Sequence, residues 1–485
     1  MIARIKSFLF ENRAIRQTVT KNIFWLSIGQ IVGRLFRGLI IIYAARVLGT
    51  IEYGVFAYVL SLAGFFMIFS DIGVNQILTK EVAKKPEEDT YYFATTFWIK
   101  LVLLIFTAIL IIFLTPYFSK IEAAKKLLPF IALLSVFDGL RELSVAFFRA
   151  KEKMELEALV TSVTNLSFAI FGFVILSLMA NTKALTFTYI LSAGLGAMAG
   201  IIILRKYFGK IISFFRKDLI KEILTSAWPI AFLGIIGIFM LNTDIVMLGF
   251  FRTSQEVGLY SAGQRIIQLL YTLPMILAIS FFPILSRFIG QKDNVKTRLL
   301  MERGMVAVFF LAIPIAVGGV ILGKEIINFL YGSEYLAATF SFQILILTVL
   351  LIFPAMLIGN YILAYNKQRK ITPYAILGAV GNIVLNAILI PRFGIVGAAV
   401  ATLSSQIIYY SLTWRLAKKI NNFLTLCYLK KIIAAAILMG ILNFVLNKFE
   451  LSLILNIVIS AGFYFYLLHL FKENIISEIK SLIKI

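Results

Sequence analysis

Two arginines three residues apart, Arg34 and Arg37, sit inside the apolar run Ser27–Tyr43. A cation at the centre of a bilayer costs roughly 2.5–3.5 kcal/mol on insertion scales, so a pair of them demands a compensating environment. A spacing of three puts both guanidinium groups on one helix face, and Gly33 and Gly38 leave room beside them. Guanidinium is permanently charged and forks bidentately onto phosphate, so a water-filled, anion-attracting cavity would meet the cost. The competing reading is a structural pair bonded to helix carbonyls or to an acid on another helix.

Other charges in apolar runs take the same two kinds of reading. Arg265, beside Gln264 and Gln268, either completes a cationic cavity or snorkels to the interface. Arg46 lies nearer a helix end, where topological or turn-stabilising work competes with anion binding. Asp244, with Asn242 and Thr243, suits a proton or a Na+ ion, or an ion pair with a cavity arginine. Asp138, Arg141 and Glu142 fall within one helical turn and are expected to neutralise one another. Asp71, just before Gly73, is expected to pair with Arg149 or Lys151, and Lys100 to snorkel.

The elements that position these groups are membrane helices. The chain is 60% hydrophobic and 15% charged with mean hydropathy +0.94, outside the range of soluble globular proteins. Apolar runs predict about fourteen spans, near 23–46, 55–79, 93–118, 127–148, 158–180, 184–204, 224–250, 258–285, 304–322, 338–364, 372–390, 395–416, 432–447 and 452–470. No strand pattern competes, so the expected fold class is an all-α integral membrane protein. Phe8–Phe10 is too short an apolar core for a cleavable signal. The single Cys427 excludes an internal disulfide framework, and the single His469 a histidine metal cluster; no metal or cofactor is expected.

The net charge of +23 marks topology and anionic lipid rather than nucleic acid, because it falls mainly in short connections. One alternating set of connections and tails holds 33 of the 47 Lys and Arg, the opposite set 9, and the spans 5. That bias puts both termini in the cytoplasm and requires an even number of crossings of the cell membrane. Ile475, Ile479, Leu482 and Ile483 share a face of the C-terminal tail, as suits a helix lying on the membrane surface.

An internal repeat organises the spans. Arg46-Val-Leu-Gly-Thr-Ile-Glu-Tyr-Gly joins the first two as Arg252-Thr-Ser-Gln-Glu-Val-Gly joins the seventh and eighth, so that Glu52 and Gly54 correspond to Glu256 and Gly258. Two six-span halves of equal orientation follow, with a cavity between them as the expected substrate site. The division is 1–210 and 211–425, with 426–485 carrying two additional helices and the amphipathic tail.

Several ordered motifs carry a resemblance. In the first half they are Ala45-Arg-Val-Leu-Gly-Thr-Ile-Glu-Tyr-Gly-Val-Phe56, Asp71-Ile-Gly-Val-Asn-Gln-Ile-Leu-Thr-Lys-Glu81 and Phe148-Arg-Ala-Lys-Glu-Lys-Met154. In the second half they are Gly258-Leu-Tyr-Ser-Ala-Gly-Gln-Arg265, Phe282-Pro-Ile-Leu-Ser286, and the paired-Asn helix, Ile-Pro turn and Gly/Ala-rich helix of 382–402. Together they resemble the polysaccharide-exporting flippases, O-antigen-type above all, of the multidrug/oligosaccharidyl-lipid/polysaccharide transporter superfamily. Lower cationic density and the lack of an extended first-helix signature separate the chain from the lipid II branch. The resemblance implies two six-helix lobes in a V plus two extra C-terminal helices. It also implies alternating-access translocation of a polyprenyl-(di)phosphate-linked oligosaccharide to the outer leaflet for cell-surface polysaccharide biosynthesis. Arg34, Arg37, Arg46 and Arg265 are then the residues implied to hold the phosphate headgroup. Asp244, Asn242 and Asp71 stand as candidates for Na+ or H+ coupling or for ion pairing.

On that reading the partners are a polyprenyl-linked glycan, anionic membrane lipid and glycan polymerases or glycosyltransferases, with no nucleic acid. Asn165, Asn382 and Asn386 either bond sugars or stitch helices, and Tyr43, Tyr260 and Tyr361 either stack on sugars or sit in aromatic belts. The alternative is a cation-coupled multidrug or small-molecule exporter of the same superfamily, which calls for an acidic cavity. A membrane enzyme would need a large catalytic outer loop, and the connections at 181–183 and 448–451 are short.

Overall fold

The computed structural model describes residues 15–425 and 429–471; side chains of 15–32 and of 34, 229, 233, 279 and 280 are outside that description. Every regular element among the described residues is helical. The amphipathic tail expected from Ile475 to Ile483 lies outside the described residues.

The chain forms two compact units, Met1–Gly258 and Leu259–Ile485. The first holds α1 (Ile15–Met67), α2 (Val74–Lys84), α3 (Asp89–Ile109), α4 (Leu128–Ala150), α5 (Met154–Leu178), α6 (Thr182–Ile203) and α7 (Asp218–Phe251). At its end begins α8 (Ser254–Leu270), which runs on into the second unit. There follow α9 (Thr272–Gly290), α10 (Asn294–Ile321), α11 (Gly323–Tyr331), α12 (Thr339–Ile346), α13 (Val349–Ala364), α14 (Thr372–Ile420), α15 (Lys430–Lys448) and α16 (Leu453–Leu470).

Among the described residues nine helices are long and apolar enough to cross a membrane, or eleven if each bent pair counts as one crossing. Two of the nine are too long for one crossing. A 50-residue helix spans about 75 Å against a hydrocarbon core of about 30 Å. α1 turns at Gly49 (φ 71°, ψ 176°) and α14 at Gly394 (φ 55°, ψ −131°), backbone geometries that glycine adopts without a Cβ clash. The helix α4 carries Asp138, Arg141, Glu142 and Arg149, and these charges lower its hydropathy although its 23 residues suffice to span.

The expected second span, 55–79, is not continuous. α1 stops at Met67, a 3-10 turn covers Ile68–Ser70, and Ile72 (φ 38°) and Gly73 (φ 85°) reverse the helical twist before α2 begins. Asp71 causes the break locally: its Oδ1 accepts the N–H of Asn75 at 3.1 Å, a first-turn donor that has no partner inside α2.

Glycine lets the repeat-related turns touch. A Cβ on Gly54 would lie 1.8 Å from the Ser254 carbonyl oxygen, and one on Gly258 2.0 Å from that of Thr50. The two glutamates of the repeat have diverged. Glu52 Oε2 accepts the Thr182 N–H at 3.0 Å and so caps α6, whereas Glu256 pairs locally with Arg252 at 3.8 Å.

In the second unit, the two helices outside the repeat pack on α10. Ile432, Ala435, Ala436 and Tyr464 are buried in one cluster with Phe310. Tyr464 donates its hydroxyl to the Phe310 carbonyl at 3.0 Å, and Asn447 donates to Glu325 Oε1 at 2.9 Å.

Candidate functional site

Arg37 is the best-defined of the expected headgroup residues. It rises from α1 toward the rings of Phe168 on α5 and Tyr189 on α6, with Cζ 5.3 and 5.2 Å from their centroids. The two rings meet edge to face at 4.7 Å, so the guanidinium leans on a fixed aromatic corner. Its Nε is buried with no hydrogen-bond partner, and no carboxylate among the described residues pairs with it. Close packing builds this corner. The side chain of Asn165 fills the space a Cβ on Gly33 would need, 2.0 Å from Nδ2, and Ile40 does the same for Gly172. The room expected beside the arginines at Gly33 is therefore taken by α5.

The side chain of Arg34 lies outside the described residues. Arg46 is exposed, three residues before the turn at Gly49. Arg265 belongs to the second unit, where its Nη1 donates to Gln268 Oε1 at 3.1 Å. The structure thus joins Arg37 to aromatic residues that the arginine spacing does not announce. Phe168 and Tyr189 are more than a hundred residues away along the chain and carry no motif of their own.

Asp244 is buried (2% exposed), and Asn242 beside it donates to the Ile238 carbonyl at 3.1 Å while lying over Gly64 of α1. Asn386 donates to Asn382 Oδ1 at 3.0 Å within α14, and both are buried. Of the tyrosines weighed between sugar stacking and aromatic belts, Tyr260 and Tyr361 are fully buried in packed helices, so neither face is open to a sugar. Tyr43 stacks on Phe173 with ring centroids 5.6 Å apart.

A second polar site occupies the first unit. Asp71 pairs with Lys100 at 3.1 Å, not with Arg149 or Lys151, and Lys100 is 1% exposed rather than snorkelling. Arg149 instead pairs with Glu157, Nε to Oε2 at 2.7 Å, and Lys151 with Asp89. The helix break explains the difference: it turns Asp71 toward α3, where a buried lysine needs a counter-charge. Arg141 Nη2 donates to both Asp138 Oδ1 (2.7 Å) and Glu142 Oε1 (2.6 Å), the local network expected from their spacing. Asp71, Lys100, Asp138, Glu142 and Arg149 line a cavity of about 160 Å³.

The second unit carries a larger, apolar cavity of about 400 Å³. Leu311, Pro314 and Ile315 of α10 line one side and Ile457, Ala461 and Phe465 of α16 another. Such a slot accepts hydrocarbon and excludes charge.

Comparison with known proteins agrees with this architecture. The profile of the family described as "Polysaccharide biosynthesis protein" matches residues 19–289, and that of the family described as "MatE" residues 229–388. A probable low-salt glycan biosynthesis flippase, Agl15, of Haloferax volcanii is 25% identical over 78% of this chain and 79% of its own length. A putative O-antigen transporter of Shigella dysenteriae is 21% identical over 80% of this chain and 97% of its own. The solved structure of the lipid II flippase MurJ in an inward closed conformation superposes with a TM-score of 0.77 at 18% identity, covering 93% of this chain and 99% of that one, which establishes the shared fold. With more than half of its length matched by the first profile, and with a helical membrane fold to go with it, the chain belongs to the polysaccharide biosynthesis protein family.

Proposed function

We propose that this protein is a flippase that carries a polyprenyl-(di)phosphate-linked oligosaccharide from the cytoplasmic to the outer leaflet of the cell membrane by alternating access, and catalyses no bond change. The observation that carries the proposal is Arg37: a half-buried intramembrane guanidinium leaning on two rings and paired with no carboxylate among the described residues. Its charge is available to a phosphate-bearing headgroup, for which guanidinium geometry is suited. The names of the Haloferax and Shigella relatives, a glycan biosynthesis flippase and an O-antigen transporter, support the cargo class. The apolar cavity beside α16 supports the rest of it, since an isoprenoid tail needs a hydrocarbon path while its headgroup crosses in water.

Arg34, Arg46 and Arg265 are the further residues assigned to the headgroup. The moving parts in this reading are the repeat halves 1–210 and 211–425, with both termini in the cytoplasm, a placement that the lysine and arginine bias supports. A glycosyltransferase on the loading side and a polymerase on the far side are the fitting partners. A drug exporter of the same superfamily would present carboxylates to cationic drugs, and the cation at Arg37 argues against it.

The test is export of lipid-linked glycan by a strain carrying Arg34→Ala with Arg37→Ala. Surface glycan should disappear while the protein still inserts and remains monodisperse in detergent. Undiminished surface glycan would overturn the proposal.

A further inference from the structure

Two carboxylates of the polar cavity in the first unit are open to a ligand. Asp138 and Glu142 stand one turn apart near the middle of α4, with side chains 38% and 41% exposed. Carboxylates exposed to that degree in a membrane helix call for water rather than hydrocarbon beside them. Arg141 engages one oxygen of each, Asp138 Oδ1 at 2.7 Å and Glu142 Oε1 at 2.6 Å, which leaves Asp138 Oδ2 and Glu142 Oε2 to accept from a solute.

The rest of the lining is rich in acceptors and short of donors. The helix break sets Asn75 in the first turn of α2, where Asp71 accepts its N–H. Its side chain lines the cavity and is 9% exposed, and its Oδ1 takes no hydrogen bond among the described residues. Thr79 spends its hydroxyl proton on the Ala146 carbonyl and Ser135 its own on that of Ala132, so both offer lone pairs only. Lys100 and Arg149 are engaged by Asp71 and Glu157. A solute that satisfies this wall brings several hydroxyl or amino hydrogens, and a volume of about 160 Å³ holds far more than one water, which needs about 10–15 Å³. Among the described residues no aromatic ring lines the cavity, as a cationic drug would ask, while Met67, Gly139 and Ala146 give a sugar ring apolar surface for its C–H groups.

The charge of the wall limits which sugar fits. Asp71, Asp138 and Glu142 line the cavity against Lys100 and Arg149, and the pairing partners Arg141 and Glu157 add one charge of each sign, so one negative charge is in excess. A sugar bearing its own carboxylate meets repulsion there, whereas neutral hydroxyls give charge-assisted hydrogen bonds to the free carboxylate oxygens. We infer that this cavity receives a sugar of the cargo and selects against acidic sugars, with Asn75, Asp138 and Glu142 accepting hydroxyl hydrogens. The inference rests on the cargo being a lipid-linked glycan and adds which class of glycan is carried: one whose sugar at this site is neutral or amino.

The experiment reconstitutes the full chain in vesicles held at zero membrane potential. Two prenyl-diphosphate carriers are supplied, one bearing glucose and one glucuronic acid, which differ only in the oxidation of one sugar carbon. Initial flipping rates are compared for the native protein, Glu142→Gln and Asp138→Asn. The native protein should move the glucose carrier about tenfold or more faster than the glucuronate carrier. Glu142→Gln removes the excess charge and should narrow that ratio about threefold or more, and Asp138→Asn makes the same charge change should the first variant fail to fold. The ratio is taken within one protein, so a loss of folded material does not move it. Equal rates for the two carriers in the native protein, or a ratio unchanged in the charge-removing variants, would overturn the inference and leave the flippase reading standing. Movement of neither carrier by the native protein would overturn that reading and this inference with it.

Discussion

A guanidinium supported by ring faces keeps its full charge for a ligand, whereas one bonded to a carboxylate has spent most of it. Arg37 leans on rings and pairs with no carboxylate among the described residues, so on the proposed reading it is of the first kind, and its planarity matters as much as its charge. Arg37→Lys should therefore cut export about tenfold or more although the charge is retained, because a lysine cannot lie flat against Phe168 and Tyr189; initial rates in reconstituted vesicles check this. A buried lysine such as Lys100 is the opposite case, its charge answered by a carboxylate. Lys100→Met alone leaves Asp71 partly buried and unpaired and should cost about 3–5 kcal/mol of stability, while Lys100→Met with Asp71→Asn should recover most of it. Thermal unfolding in detergent of the two singles and the double measures that coupling. Arginine in an apolar run is rare enough to be legible without coordinates, so Arg37 could be singled out. Its aromatic supports could not, because they come from helices whose proximity only the fold decides. Lys100 looked like a snorkelling residue for the same reason: its counter-charge reaches it through a helix break that hydropathy conceals.

Among the elements, runs bounded by clear polar connections were legible to within a few residues. The run 127–148 became Leu128–Ala150, and 184–204 became Thr182–Ile203. The interruption at 68–73 was not legible, since Ile68, Phe69, Ile72 and Val74 keep the run apolar and the break depends on a side chain capping backbone. Glycines had to be placed in space before their work was evident. Gly54 and Gly258 were recognisable as repeat mates, but only the fold brings each against the other's backbone. Gly54→Val should consequently force the α1 and α8 turns apart and lower stability by about 2–4 kcal/mol, with Gly258→Val similar. Gly359→Ala, where a Cβ meets nothing within 4 Å, should be nearly neutral apart from helix propensity. Melting temperatures followed by size-exclusion fluorescence distinguish the two classes.

For the molecule as a whole, cargo must satisfy two opposite solvents at once, a charged headgroup and a long hydrocarbon tail. On the proposed reading, the cavity of about 400 Å³ beside α16 takes the tail and so separates those demands. Ala461→Trp narrows it and should slow movement of a long-chain carrier several-fold, while sparing an analogue with a truncated prenyl chain. Comparing the two carriers in vesicles isolates the tail from the headgroup. The ring-supported cation of Arg37 has one more consequence, and it is thermodynamic. On the proposed reading, a charge that no carboxylate among the described residues answers is completed by the anionic headgroup, so loading should harden the protein. Saturation at about a hundred times the dissociation constant is worth about 2.7 kcal/mol. The fragile form in the membrane is then the idle one, and its lifetime should lengthen whenever the pathway that feeds it is running.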